Sequence, residues 1–458
     1  MSRSGKTRPK IRLVVAICSG LALILATVIS VQLLPSQQQP ADRKTSAGAL
    51  SFGVLGSTCD ADRAVSLHKA GVQVAQLDIE WSKFEPAKGQ YSADYVSELN
   101  TNLGNCAAAG LTVSLGLGLS SAPSWVSDLP DGRYINQYGD SYSGHTPNIV
   151  FSKDVRASYA SYVAKLFELL KMDSISSIRV GTGQAGELGY PSAQNAPNSF
   201  WAYSDAAQTG GDLPTDVQPT PLPGWTPGAQ SWRGATISPQ QVDEWFSWYS
   251  GEVAKAVTWQ IKLVRALGYD RQFILPLAGR GALPADLTLA IAAGLNGTAD
   301  RDGSLESGLY YPSQLRYIAS TVGTEGMSAD VTGLDDATAV DARSLSPPQD
   351  ACQDGDSTAD LAAVPNADQW STTRWTVANA RQAGLDVVGE NPGSPGAPGT
   401  GGHSGSDDLR AQMLHAPQYA AVCNLSAMYW AFEDDLFGDP SVLSLADYMQ
   451  AIKEFGTP

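Results

Sequence analysis

The sequence has few of the residues that bind metals or nucleic acids. It contains four histidines and five cysteines in 458 residues, and none of them stands at the spacing of a zinc site. Lysine and arginine together number 30 against 46 aspartates and glutamates, which gives a formal net charge of −16. Because an acidic body repels a polyanion, nucleic acid is not an expected partner. We also predict no metal and no cofactor.

Acidic residues are absent from the first 40 positions. Five basic residues between Arg3 and Arg12 precede an almost wholly apolar run over residues 13–34. A run of this length can span a bilayer, and the basic residues before it favour a cytoplasmic N-terminus. We predict a basic cytoplasmic tail (1–12), a transmembrane signal anchor (13–34), a polar linker (35–48) and a catalytic body outside the cell membrane (49–458). Cleavage as a signal peptide, which would release a secreted body, is the alternative.

The cysteine pattern is typical of an exported protein. Cys18 lies in the apolar run, which leaves four cysteines in the body. An even number of cysteines in an oxidising compartment indicates disulfides. Of the three possible pairings we favour Cys59–Cys106 and Cys352–Cys423, because each pair falls within one half of the chain.

The body alternates short apolar runs with helical patterns, which is typical of β/α units around a parallel sheet. Eight such strands predict an α/β fold, the (β/α)₈ barrel, and the sixth strand has the weakest pattern. Long insertions rich in Pro, Gly and Asp follow several strands, where barrel loops build the active-site face. The predicted strands are 51–55, 72–78, 111–117, 175–180, 273–277, 329–332, 385–389 and 425–430.

Two glutamates follow predicted strands in loops that contain glycine. Glu187 lies in GTGQAGELGYP (181–191), after the fourth strand, and Glu390 lies in GENP (389–392), after the seventh. Hydrolysis of a glycosidic bond needs one carboxylic acid to protonate the leaving oxygen and a second carboxylate to activate water or to attack. Two glutamates at the ends of different barrel strands fit these roles. A solvated surface residue is the alternative for either glutamate alone.

Other residues near these strand ends could bind sugar. Asp78 and Glu80 lie at the end of the second predicted strand, so one of them could bind sugar hydroxyls from inside the barrel mouth. A structural ion pair is the alternative for these two acids. Flat aromatic rings stack on sugars but also pack in cores. The candidate stacking residues are Trp81, Trp125, Tyr190, Trp201 and Trp430.

The glutamate motifs resemble those of β-amylases (glycoside hydrolase family 14). Residues 180–192 are similar to the segment around that family's general acid, and Gly389-Glu390-Asn391 is similar to the segment around its general base. The resemblance implies that Glu187 is the acid, that Glu390 is the base of an inverting reaction, and that Asp78 and Asn391 bind substrate. Weaker similarity at residues 200–205 and 429–436 extends it, in order, over most of residues 50–455.

Some positions depart from the β-amylase pattern. Residues 120–125 (SSAPSW) replace its glycine-rich lid, with Ser120 in place of a histidine, and Ala431 stands in place of an arginine. Residues 81–91 and 122–125 are instead similar to segments of family 42 β-galactosidases, in which asparagine, here Gly186, usually precedes the acid. The chain therefore resembles both families, with a catalytic pair closer to the β-amylase type.

These observations predict an exported, membrane-tethered glycoside hydrolase. Its expected substrate is an oligosaccharide or polysaccharide with O-glycosidic bonds. Two alternatives share the same residues. The first is a carbohydrate-binding barrel without hydrolytic activity, and the second is a transglycosylase that remodels envelope glycan.

Overall fold

Eight parallel strands close into a barrel in the computed structural model, which describes residues 50–192, 197–300, 302–394 and 408–456. Each strand pairs with the next one in the sequence, and the eighth pairs with the first. The predicted (β/α)₈ fold is confirmed, including its sixth strand. The barrel strands are β1 (Ser51–Val54), β2 (Val74–Asp78), β3 (Thr112–Gly116), β4 (Ile175–Arg179), β5 (Gln272–Leu277), β6 (Met327–Val331), β7 (Asp386–Glu390) and β8 (Ala427–Trp430).

Between successive barrel strands, the chain forms the connecting loops and the helices. Local capping starts several of them: the Asp60 side chain accepts hydrogen bonds from the backbone N–H groups of Asp62 and Arg63 at the start of the first helix. A short hairpin pairs Ser231–Trp232 with Ala235–Thr236. The helices are α1 (Ala61–Ala70), α2 (Trp81–Phe84), α3 (Ala93–Ala109), α4 (Ser124–Ser127), α5 (Lys153–Leu169), α6 (Asp205–Thr209), α7 (Pro239–Ala266), α8 (Pro284–Ala292), α9 (Tyr311–Val322), α10 (Ala337–Arg343), α11 (Thr372–Gln382), α12 (Leu409–Val422), α13 (Glu433–Leu436) and α14 (Leu445–Phe455).

Alternate strands place polar side chains at the C-terminal end of the barrel. Asp78 and Arg179 are the last residues of β2 and β4, and Asp330 is the last but one of β6. Side chains from alternate strands share a layer inside such barrels. A polar layer therefore closes the apolar core at the end where the βα-loops emerge, and Glu390, the last residue of β7, lies beside it.

Both predicted disulfides are present. Cys59 bonds Cys106 of α3, and Cys352 bonds Cys423 at the end of α12. Both cysteines of the first bridge are almost completely buried. Each bridge thus ties a loop to a helix outside the barrel.

The predicted transmembrane anchor (13–34), with the tail and the linker on either side of it, lies outside the described residues. Within the described ranges, no helix is both long enough and apolar enough to cross a bilayer.

Candidate active site

The C-terminal ends of the barrel strands surround a cavity of about 820 Å³. This volume lies in the range of small-molecule binding sites. Glu187 and Glu390 both line the cavity, and Asp78 and Asn391 line it with them. The structure therefore brings the two predicted catalytic residues to one site at the C-terminal face.

The loop after β4 holds Glu187 through its own backbone. The N–H groups of Thr182 and Gly183 donate hydrogen bonds to the Glu187 carbonyl, at 2.9 and 2.8 Å. A Cβ atom on Gly181 would lie 1.9 Å from the carbonyl oxygen of Gly186, so only glycine fits at position 181. The tight glycine turn that marked this site in the sequence thus fixes where the carboxyl group enters the cavity.

The surroundings of Glu187 favour its protonated form. Burial, with a smaller contribution from the nearby Asp330, raises the pKa of the Glu187 carboxyl to about 7, although a hydrogen bond with Thr332 and the charge of Arg179 oppose the rise. A carboxylic acid of this pKa carries its proton in weakly acidic solution and in about half of the molecules at pH 7. This is the property that a general acid requires.

Arg179 lies between Glu390 and a second carboxylate. Its Nη2 atom donates to Glu390 Oε2 at 2.9 Å and to Asp330 Oδ2 at 2.6 Å. The exposed fraction of the side chain is 10% for Arg179, 12% for Glu390 and 0% for Asp330. Burial and the adjacent Asp330 raise the pKa of Glu390 well above its usual value, and Arg179 opposes this rise. The environments of Glu390 and Glu187 therefore differ, because a guanidinium is bonded to Glu390 alone.

Asp78 and Asn391 line the cavity in different ways. Asp78 faces it with a carboxylate that accepts a hydrogen bond from Gln76 Nε2 at 2.7 Å. Burial raises the pKa of Asp78, and Arg179 opposes the rise. The amide of Asn391 donates to Gln412 Oε1 at 2.8 Å and accepts from the backbone N–H of Ala431 at 2.7 Å. Asp78 is thus placed to bind a ligand, whereas the amide of Asn391 holds the segment after β8 in place.

The predicted stacking residues are not part of the cavity lining. Trp81 is fully buried and stacks on Tyr162, with 4.6 Å between ring centroids. Tyr190 stacks on Tyr249 at 4.2 Å, and Trp430 packs against Tyr448 of α14. Burying a large ring removes much apolar surface from water, and the core offers this burial on every side. These three residues were predicted to stack on sugar, but the structure packs them in the core instead.

Three further predicted residues also lie apart from the cavity. Trp201 is buried and donates from Nε1 to the carbonyl of Pro191 at 2.7 Å, and Trp125 packs edge-on against the core. Glu80, two residues after the end of β2, is exposed and pairs with Lys83 Nζ at 2.7 Å. The ion pair, which was the alternative for Glu80, is what the structure shows.

Several cavity residues had no role in the sequence-based prediction. Phe432, 42% exposed, presents its ring to the cavity directly after β8. Arg280 lies in the loop after β5 and donates to the carbonyl of Asp368 at 3.1 Å. Arg179 was hidden inside an apolar strand pattern. Phe432 could have been found, because it lies in the segment 429–436 that resembles the β-amylase segment after the eighth strand.

Known proteins resemble the chain in part of its sequence and in most of its fold. Residues 58–173 match the family model for family 42 glycoside hydrolases, described as β-galactosidase. No curated protein sequence matches the chain. The catalytic domain of β-amylase from Paenibacillus polymyxa superposes with a TM-score of 0.52 at 14% identity, over 90% of this chain and 99% of that one.

Two β-galactosidases superpose to a similar degree. The enzyme from the psychrophilic Marinomonas ef1 gives a TM-score of 0.54 at 13% identity, over 88% of this chain and 59% of its own. The enzyme from Halorubrum lacusprofundi gives 0.53 at 14% identity, over 89% and 58%. The chain thus spans less than two thirds of either β-galactosidase. The chain is a (β/α)₈ barrel whose fold is similar to that of β-amylase and of β-galactosidases, and its residues 58–173 match the family 42 model.

Proposed function

We propose that the protein hydrolyses O-glycosidic bonds in an oligosaccharide or polysaccharide, with Glu187 as general acid and Glu390 as general base. The observation that carries this proposal is the pair of glutamates, from different barrel strands, in one cavity and in unlike environments. Of the two, only Glu390 accepts a hydrogen bond from a guanidinium, which favours its ionised form and therefore the role of base. The resemblance to β-amylases and family 42 enzymes supports the same reaction class.

The proposed reaction inverts the anomeric carbon. Glu187 gives its proton to the leaving oxygen as the glycosidic C–O bond breaks. Glu390, bonded to Arg179, takes a proton from a water molecule whose oxygen bonds to the anomeric carbon on the opposite face. Glu187 then regains a proton from solvent and Glu390 releases one. The similarity of Gly389-Glu390-Asn391 to the general-base segment of β-amylases supports inversion.

Proton NMR that resolves the two anomers tests the function. The protein would be incubated with a panel of α- and β-linked oligosaccharides, and the first reducing sugar to appear would be assigned. We expect the configuration opposite to that of the bond cleaved. Retention would make Glu390 a nucleophile instead of a base. Binding without turnover on every substrate would contradict hydrolysis and favour a carbohydrate-binding barrel.

We propose that the catalytic body (49–458) acts outside the cell and that the apolar segment (13–34) tethers it to the membrane. The basic residues before an apolar run over 13–34 support this placement, and so do two disulfides, which persist in oxidising compartments. Fractionation of cells that express the full chain should place it in the membrane fraction, with the body open to added protease. Full-length protein in the cytosol would contradict the proposal.

The pH dependence of hydrolysis should report the proton on Glu187. Because burial raises the pKa of this acid to about 7, we expect kcat/KM to fall as pH rises through about 7. The fall approaches tenfold per pH unit once most of the acid is ionised. A pH series on a natural oligosaccharide measures it. A profile that stays flat from pH 6 to 9 would contradict the role of Glu187 as acid.

Phe432 is predicted to supply the aromatic contact with the substrate. Phe432→Ala should raise KM about fivefold with little change in the unfolding midpoint, because stacking of one ring contributes roughly 1 kcal/mol. Trp430→Ala, two positions earlier, should instead lower the free energy of unfolding by about 3–5 kcal/mol, since Trp430 is fully buried. Steady-state kinetics and urea unfolding of both variants separate the two roles. An unchanged KM in Phe432→Ala would remove that ring from the binding site.

A further inference from the structure

A third carboxyl group lies beside Glu390 and has no place in the reaction described above. Asp330 of β6 is completely buried, and its Oδ2 atom accepts from the same Arg179 Nη2 that bonds Glu390. Its Oδ1 atom accepts no hydrogen bond from any residue that the structure describes. Two acid side chains thus share one donor nitrogen, and one of their oxygens lacks a donor.

We propose that Asp330 is a positioning residue that shares one proton with Glu390 and holds this proton while Glu390 acts as the base. The inference rests on the proposed function. It assigns to the site a pair of carboxyl groups in place of a single glutamate.

The charges around the pair explain why one proton stays. Arg179 supplies one positive charge against two carboxyl groups, those of Asp330 and Glu390. Asp78 and the phenol of Tyr429 also face Arg179, and neither brings positive charge. Neighbouring carboxylates in a buried site do not both ionise readily.

The hydrogen bonding leads to the same conclusion. Asp330 and Glu390 accept from the same nitrogen, Arg179 Nη2, at 2.6 and 2.9 Å, so their carboxyl groups lie side by side and a proton on one of them would allow a hydrogen bond to the other. Such a bond between two carboxyl groups needs a proton on one of them, because an ionised carboxylate can only accept. If the proton lies on Asp330 Oδ1, that atom becomes a donor and no longer lacks a partner. Glu390 then receives hydrogen bonds from Asp330 and Arg179 and stays ionised for its task.

The proton balance of the reaction follows from this arrangement. The attacking water loses a proton to Glu390 as its oxygen bonds to the anomeric carbon, and the leaving oxygen receives the proton of Glu187. The pair then carries two protons beside Arg179. One returns to solvent through Glu390, which faces the cavity, whereas Asp330 has no exposed surface and acts only through Glu390.

Carbon NMR of the carboxyl groups tests the pair directly. Full-length protein carrying ¹³C in the side-chain carboxyl groups of Asp and Glu would be titrated, with Glu390→Gln and Asp330→Asn used to assign the two signals. We expect one proton to leave the wild-type pair at least one pH unit above the usual glutamate value of about 4.3. In Asp330→Asn the step of the pair should be replaced by a single titration of Glu390 at lower pH than in wild type, because Asp330 no longer raises the pKa of Glu390 while burial still does.

The wild-type titration alone can overturn the inference. If both signals titrate at or below their usual values, the two acids ionise independently and share no proton. The titration does not need turnover, so its result is separate from the fate of the proposed function. A raised step in a protein without hydrolytic activity would support the pair while refuting hydrolysis.

Kinetics of two substitutions give a second readout. An amide at position 330 resembles a protonated acid, because it can accept from Arg179 and donate to Glu390. Asp330→Asn should therefore keep kcat/KM within about tenfold of wild type, whereas Asp330→Ala should lose at least about a hundredfold. Asp94→Asn, an equal change of charge at an exposed position of α3 outside the cavity lining, is the matched control. Equal losses in Asp330→Asn and Asp330→Ala would show that an ionised Asp330 is required and would refute the shared proton.

Discussion

Replacing Glu187 by Gln is expected to lower kcat about a thousandfold on a natural oligosaccharide, because the leaving oxygen loses its proton donor. An aryl glycoside whose phenol is a good leaving group needs little protonation. The same variant should therefore lose less than about tenfold on the aryl substrate. Steady-state kinetics on both substrates measure this contrast, which a general loss of structure would not produce.

The stability of Glu187→Gln provides an internal control. The pKa of Glu187 is raised in the folded state, so the folded protein binds this proton more tightly than the unfolded chain does. Stability from the bound proton is lost as pH rises from the unfolded pKa to about 7. Gln cannot ionise, so the variant should melt above wild type at pH 8, and this advantage should shrink toward pH 5. A lower Tm at pH 8, with equal losses on both substrates, would indicate a structural role.

The glutamates could be predicted because their local sequence carries a backbone requirement. Gly181 is needed for the close approach to the carbonyl of Gly186, and this turn places Glu187 directly after a buried strand. A strand followed by a glycine turn and an acid is visible in one continuous segment. The barrel then brings Glu187 and Glu390 together, because all parallel strands end at the same face.

The aromatic residues could not be placed by nearness to these motifs. Successive residues of a strand point to opposite sides, so two residues adjacent in sequence can lie on different sides of the barrel wall. Tyr429 lies beside Arg179 inside the barrel mouth, whereas Trp430, one residue later, packs outward against Tyr448. Phe432, beyond the strand, reaches the cavity. A shift of one or two positions therefore decides between core and site.

Arg179 and Asp330 were missed for a different reason. Each is a single charge in a short apolar strand, and a single charge in such a strand is typical of a solvated edge. The folded barrel explains their burial, because β4, β6 and β7 bring Arg179 within hydrogen-bond distance of Asp330 and Glu390. That contact joins residues 151 and 211 positions apart, a distance over which sequence pattern carries no signal.

Replacing Glu390 by Gln is expected to lower kcat by roughly a thousandfold to ten-thousandfold on both substrates. Attack of water on the anomeric carbon needs a base whatever the leaving group, so the aryl glycoside should not rescue this variant as it rescues Glu187→Gln. Gln keeps an oxygen that can accept from Arg179, so the unfolding midpoint should stay near that of wild type. The measurement is kcat on both substrates for the two variants side by side.

Glu80→Gln is the matched control for this experiment. The substitution is chemically the same, and Glu80 was a candidate from sequence that the structure places on the surface in an ion pair with Lys83. Its kcat should stay within about twofold of wild type, since a surface ion pair contributes little. A Glu390→Gln variant that still cleaves the aryl glycoside at the wild-type rate would contradict the base role, because no other step removes the proton of the attacking water. Loss in both glutamate variants, with rescue by the aryl substrate in Glu187→Gln only, would assign the acid and the base separately.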